Sequence, residues 1–283
     1  MEIIRSLTEM TVMSKRFRQA GKRIAFVPTM GFLHEGHLTL MKEGRRLADK
    51  LVISIFVNPT QFGPGEDFST YPRDFERDCA LADDNGVDIV FTPDAQDLYP
   101  KGFDTYIHQE RLPGHLCGLS RQEHFNGVMT IVTKLFNIVA PHFAIFGEKD
   151  FQQLAVIRRM TKDLNFNIEI VGHPTVREPD GLAMSSRNTK LNPDQRDAAL
   201  SLITSLRNAK GSIKNKQTDS NQLINEATAL ILSHPETEID YIKICDPGTL
   251  DDVSTIDRPV LMALAVRVGE TRLIDNMILT PDS

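Results

Sequence analysis

Long apolar runs, paired cysteines and blocks of like charge are all missing from this chain, and each absence removes a class of protein. No apolar run approaches the ~18 residues that cross a bilayer, so no membrane span is expected. The opening stretch, Met1-Glu2-Ile3-Ile4-Arg5-Ser6, lacks the ~7–15-residue apolar core of a secretory signal. Cys79, Cys117 and Cys245 are the only cysteines. They are odd in number, far apart and form no C-x-x-C pair, which predicts packing thiols in a reducing, cytoplasmic setting. Lys and Arg (32) and Asp and Glu (38) are interspersed and leave a net charge of −6. That balance argues against nucleic acid and against a polybasic membrane anchor, and leaves small molecules as partners. Two nucleotide signatures are missing as well. Without a G-x-x-x-x-G-K-[ST] loop or a G-x-G-x-x-G turn, the ordinary ATPase and dehydrogenase readings fall away.

What is present is an alternation. Strand-like runs at Ile24–Val27, Leu51–Val57, Val87–Phe91, Phe143–Phe146 and, more weakly, Ile168–Val171 are nearly continuous in apolar residues, as parallel strands covered on both faces are. Between them, Leu40, Met41, Gly44, Leu47 and Ala48 fall on one helical stripe, and Val128, Ile131, Val132, Leu135 and Val139 on another. Strand, helix, strand predicts an α/β, Rossmann-like doubly wound parallel sheet. After the loop of residues 177–192 the texture changes. Helical segments at Asp194–Ala209 and Ser220–Leu232 flank a polar stretch from Gly211 to Thr218, and strands follow near Ile239–Cys245 and Val260–Val268. Helices grouped and strands grouped predict a second, smaller α+β domain, giving domains 1–176 and 177–283.

At the exit of the first strand-like run stands Pro28-Thr29-Met30-Gly31-Phe32-Leu33-His34-Glu35-Gly36-His37. A doubly wound sheet binds ligands at the carboxyl ends of its strands. Gly31 permits a tight turn there, and Gly36 leaves a helix start bare, so that backbone N–H groups and the helix dipole face an anion. His34 and His37, three apart, can share a pocket. A zinc-protease H-E-x-x-H site needs its histidines four apart on a formed helix, which this spacing does not give. A plain polar turn is the remaining alternative.

The H-x-G-H element resembles the adenylyl-transferring superfamily that includes class I aminoacyl-tRNA synthetases and small nucleotidyltransferases. Four more motifs narrow the resemblance: F-V-N-P-T-Q-F (Phe56–Phe62), Y-P-R (Tyr71–Arg73), F-G-E-K-D-F-Q-Q-L (Phe146–Leu154) and M-S-S-R-N (Met184–Asn188). In this order they resemble the pantothenate synthetase (pantoate–β-alanine ligase) family over almost the whole chain. The resemblance implies adenylation of pantoate by ATP, then displacement of AMP by β-alanine. It implies an ATP segment of Met30, Gly31, Phe32, Leu33, His34, Glu35, Gly36 and His37, with His37 the proton donor or charge stabiliser. Gly147, Glu148, Lys149 and Asp150 would hold phosphate and ribose, Val176 the adenine side, and Met184, Ser185, Ser186 and Arg187 the triphosphate. His34, His37, Lys149 and Arg187 are thus the implied catalytic set.

Gln61 and Gln153 would hold pantoate, Gln61 also β-alanine, and Asn58 would support Gln61 or a phosphate. Gln152 would point elsewhere on its helix. Residues 63–71 would form a mobile cover or an ordinary connection. The resemblance further implies Mg²⁺ carried on ATP, with no protein metal ligands assigned, and a homodimer. One departure is visible: relatives carry an R-P-G-H-F-like turn where this chain has Ser120-Arg121-Gln122-Glu123-His124-Phe125, which leaves Arg121 and His124 either in the site or on a polar surface turn. Two rivals remain open, a simple nucleotidyltransferase with no acid-binding glutamines and a non-catalytic nucleotide-binding protein.

Overall fold

Ile24, Ala25, Phe26 and Val27 are all fully buried, as a strand covered on both faces requires, in the computed structural model, which describes residues 1–281. They belong to the middle of a parallel sheet. In chain order its elements are β1 (Glu2–Ile4), α1 (Leu7–Gln19), β2 (Ile24–Thr29), α2 (Glu35–Leu47), β3 (Lys50–Ile55), α3 (Phe75–Asp84), β4 (Ile89–Phe91), the single turns α4 (Ala95–Leu98) and α5 (Cys117–Ser120), α6 (His124–Val139), β5 (Phe143–Gly147), α7 (Phe151–Asp163) and β6 (Glu169–His173). The strand order is β1-β4-β3-β2-β5-β6, and every pairing is parallel. From β2 the chain winds outward through β3 and β4, then returns to β5 and β6 on the other side. The winding direction therefore reverses between β2 and β5, and a ligand crevice is expected outside their carboxyl ends, at Thr29 and Gly147.

Helix α2 turns Leu38, Leu40 and Met41 inward onto this sheet, where they join Val27, Leu51 and Ile145 in one apolar cluster. Helix α6 is apolar over most of its surface, burying Phe125, Val128, Met129, Ile131, Val132, Leu135, Phe136 and Val139. It stops at Ala140, which takes a left-handed conformation (φ 45°) as the cap.

Two compact units are present: one of Met1–Gln109, Arg121–Glu148 and Gln153–Pro174, the other of Glu110–Ser120, Lys149–Gln152 and Thr175–Ser283. The second contains α8 (Pro193–Lys214), α9 (Ser220–Leu232) and an antiparallel meander of β7 (Thr237–Cys245), β8 (Val260–Val268) and β9 (Thr271–Leu279). Asn192 caps α8 by accepting from Gln195 N, with Pro193 at the first helical position. Leu202, Leu206, Leu223, Ile244, Leu264 and Val266 share this unit's core.

Three elements differ from the sequence expectation. Helix α8 runs on through Gly211 to Lys214. Buried Ile213 extends the stripe of Leu206 and Ala209, and that burial outweighs the cost of about 1 kcal/mol for an interior glycine. The third strand β9 escapes a reading by pattern because buried Asp275 and half-buried Arg272 and Asn276 interrupt its apolar residues. Strand β1 is only three residues long, too short to show a period. Among the described residues no helix is long and apolar enough to cross a membrane.

Candidate active site

The turn after β2 is held from behind. Gly31 (φ 84°) and Phe32 (φ 50°) are both left-handed, a conformation natural to glycine and disfavoured for phenylalanine. Gly31 N donates to Thr29 Oγ1 at 3.1 Å. Phe32 N and Leu33 N each donate to the Asp78 carboxylate, at 2.7 Å and 2.7 Å. Asp78 comes from α3 and is 1% exposed. Its burial pushes the carboxyl above its ordinary range, against the pull of the Leu33 and Phe32 amides. The amides of Gly31, Phe32 and Leu33 are thus all engaged within the protein, and the tight turn expected at Gly31 is present.

His34 is the N-cap of α2 and His37 its third helical residue, so both side chains leave the same end of the helix. Their ring centroids lie 4.1 Å apart. His34 N donates to His37 Nδ1 at 3.3 Å, which places the His37 proton on Nε2 and makes that nitrogen the ring's donor. Glu35, by contrast, pairs on the surface with Lys42 at 3.0 Å.

Gln61 lies at the end of a one-turn helix, Pro59–Gln61, and its amide donates to Met30 Sδ at 3.2 Å. Behind it stands Asn58, 1% exposed, whose Nδ2 donates to Gln61 Oε1 (3.2 Å) and to Gly127 O (3.2 Å). Asn58 Oδ1 accepts from Tyr99 Oη (2.8 Å) and Thr60 Oγ1 (3.0 Å). Of the two roles expected for Asn58, the one its contacts describe is support of Gln61. Gly127 on α6 allows this approach, since a Cβ there would stand 2.2 Å from Thr60 O.

Arg121 and His124 converge on the Gln61 carbonyl, Nη2 at 3.3 Å and Nδ1 at 2.8 Å, while Ser120, Gln122 and Glu123 of the same turn are exposed. Arg121 also forks onto Glu66 with two bonds of 2.6 Å and 2.6 Å, tying residues 63–71 down. Phe62, Phe68 and Tyr71 pack edge to face inside that loop.

Gly147 closes β5, and Glu148, Lys149 and Asp150 form the single turn that leads into α7. Lys149 O accepts from Asn276 Nδ2 at 2.9 Å. Gln152 and Gln153 diverge. Gln152 is buried and fully engaged, accepting from Cys117 N (3.0 Å) and donating to Leu112 O (2.9 Å) and His115 O (2.6 Å). Gln153 is half-buried on the next position of α7.

In the second unit, Met184 N donates to Val176 O at 2.9 Å, closing a small hairpin with the Arg177–Ala183 bridge. Arg177 forks onto buried Asp275 (2.7 and 2.9 Å). Ser185 caps the turn Ser186–Lys190 by accepting from Arg187 N, and Asn188 ties that turn to Glu178 (2.6 Å) and Ala183 O (3.0 Å). Glu178 and Asp180 both accept from Arg196 on α8.

The candidates thus divide. Met30 to His37, Asn58, Gln61, Gly147, Glu148 and Gln153 belong to the first unit, and Lys149, Asp150, Val176 and Met184 to Arg187 to the second. Asp78 and Tyr99 have no motif around them, and only their long-range partners reveal them. Among the described residues no group of three or more His, Cys, Asp and Glu is placed to hold a metal ion.

A parallel sheet with a paired-imidazole turn beside its switch point is an α/β architecture with a ligand crevice at its strand ends, one of the folds on which nucleotide-handling enzymes are built. The sequence profile described as pantoate–β-alanine ligase matches residues 2–278. A pantothenate synthetase from Desulfatibacillum aliphaticivorans is 59% identical, over 99% of this chain and 100% of its own length. One from Geobacter sulfurreducens is 53% identical over 99% of each. The crystal structure of pantothenate synthetase from Thermus thermophilus superposes with a TM-score of 0.94 at 42% identity, over 99% of this chain and 100% of that one. That of the Francisella tularensis pantoate–β-alanine ligase, complexed with β-γ ATP and β-alanine, does so with a TM-score of 0.81 at 32% identity, over 98% and 97%. The chain belongs to the pantoate–β-alanine ligase family and is an ATP-dependent acid–amine ligase that joins pantoate to β-alanine.

Proposed function

We propose that the reaction divides among the residues described above as follows. In the first step the pantoate carboxylate attacks the α-phosphorus of ATP, giving pantoyl adenylate and pyrophosphate. Two anions meet here, so donors must offset the charge that builds on the α-phosphate and the leaving group. His37, with its donor at Nε2, supplies one and His34 a second. Lys149 and Arg187 are the cations for the phosphates, a point charge and a planar fork respectively, and Ser185 and Ser186 add hydroxyls. Gly147 and Asp150 take the ribose, and Val176 the adenine side.

In the second step the β-alanine amine attacks the acyl carbon and AMP leaves. Gln61 and Gln153 orient pantoate through amides, which donate and accept without adding charge, and Gln61 also meets β-alanine. The observation that carries this reading is the 3.2 Å bond from Gln61 to Met30, which joins the acid-binding glutamine to the nucleotide segment. Mg²⁺ is proposed as the ion ATP brings, held by phosphate oxygens and water, and would neutralise part of the triphosphate charge. A homodimer in the cytoplasm, with residues 1–176 binding nucleotide and pantoate and 177–283 serving as the lid domain, completes the proposal, although Glu110–Ser120 and Lys149–Gln152 group with the later residues.

The test is stoichiometry. Pantothenate, AMP and pyrophosphate should form in equal amounts, only when ATP, pantoate and β-alanine are all present. AMP formation without pantoate, or an adenylylated product that β-alanine does not discharge, would favour a simple nucleotidyltransferase.

A further inference from the structure

Asp78 lies 46 residues from Phe32 and 45 from Leu33, yet its two oxygens accept their successive amides at 2.7 Å each. A carboxylate is the side chain best shaped for this, with one acceptor for each of two neighbouring donors and a charge that strengthens both bonds. The turn it holds would not keep its shape unaided. Two consecutive residues have positive φ, and the second is phenylalanine. The fit is close on the other side as well: a Cβ added to Gly31 would stand 2.9 Å from Asp78 Oδ2 and 3.0 Å from Ile55 Cγ2. Arg77, the neighbour of Asp78 on α3, lies 5.5 Å from the centroid of the Phe32 ring. Leu33 leads straight into His34, the N-cap of α2, so the direction of the 32–33 peptides sets where both imidazoles point.

We infer that Asp78 is a positioning residue for the nucleotide half-reaction: it fixes the left-handed turn at Gly31 and Phe32, and through it the aim of His34 and His37. The inference rests on the reading that these histidines serve ATP.

Asp78→Asn keeps the shape but turns one acceptor into an NH₂ group facing an N–H, so one of the two bonds is lost and the turn shifts. Pantoate-dependent ATP–pyrophosphate exchange should fall about 10–100-fold, the penalty of a misplacement near 1 Å, while turnover of preformed pantoyl adenylate with β-alanine stays within roughly twofold of wild type. Exchange at the wild-type rate overturns the inference. So does an equal fall in both half-reactions that follows the melting temperature, because a purely structural residue would act that way. Should Asp78→Asn not fold, Asp78→Glu, which keeps both acceptors but moves them by one methylene, is judged by the same split. A wild-type enzyme whose exchange ignores pantoate defeats the underlying reading as well, whereas an unaffected variant of an enzyme whose exchange needs pantoate defeats this inference alone.

Discussion

The Tyr99 hydroxyl donates to the Asn58 side-chain oxygen at 2.8 Å, and the Asn58 amide passes the restraint on to Gln61 at 3.2 Å. Burial raises the Tyr99 phenol above its ordinary range, which favours the neutral hydroxyl that donates here. Removing Asn58 leaves Tyr99, Thr60 and Gln61 without this shared partner. Asn58→Ala should lower stability by about 1–3 kcal/mol and weaken pantoate use, while Tyr99→Phe, which removes one donor cleanly, should cost only about 0.5–1.5 kcal/mol. Urea unfolding and pantoate titration of both variants check this. Equal pantoate affinity in Asn58→Ala and wild type contradicts it.

Glu66 gives a pH-dependent test. Burial alone would raise its carboxyl, but the hydrogen bond and charge of Arg121 and the Gly63 amide outweigh burial, and it titrates below its ordinary value of 4.5. A carboxylate depressed in the folded state adds stability above its unfolded value and loses it as the pH falls through the folded one. Glu66→Gln should therefore be less stable than wild type at neutral pH, with the gap closing below pH 4.5. Thermal melts across that range measure the gap, and one that does not change with pH contradicts the assignment.

How much of this is legible in the sequence differs by residue. The buried strands β2, β3 and β5 announce themselves as unbroken apolar runs, and Met30 to His37 is a local pattern of two glycines and two histidines at a strand exit, whose link to ATP comes from the family resemblance. Asp78 and Tyr99 are different, because each acts on a segment some forty residues away and no local pattern marks a side chain by its distant partner. Gln152 and Gln153 show the same limit from the other direction. Their adjacency says that they diverge on a helix, but not that Gln152 binds the backbone of residues 112–117. The grouping of Glu110–Ser120 with the second unit has no sequence mark either, since it depends on contacts such as Cys117 Sγ with Tyr241 Oη at 3.2 Å.

Gln153 should separate the two substrates. A site that hydrogen-bonds substrate hydroxyls loses about 1–3 kcal/mol for each buried group left unpaired. Gln153→Ala should weaken pantoate binding strongly, nearly spare ATP, and lose the preference for pantoate over an analogue without its 2-hydroxyl. Separate titrations decide, and an ATP affinity that falls as far as pantoate's would make Gln153 a nucleotide-side or structural residue.

His37→Ala should keep the fold and reduce adenylate formation by roughly 10²–10³, the cost of one lost transition-state donor. Single-turnover formation of pantoyl adenylate is the readout. A rate near wild type would leave His37 as no more than a helix-end residue.

The central claim is that ATP is cleaved only to activate pantoate, and ATP–pyrophosphate exchange with and without pantoate, in the absence of β-alanine, tests it most directly. Exchange should appear when pantoate is added and be absent without it. Exchange at the same rate in both samples would contradict the account.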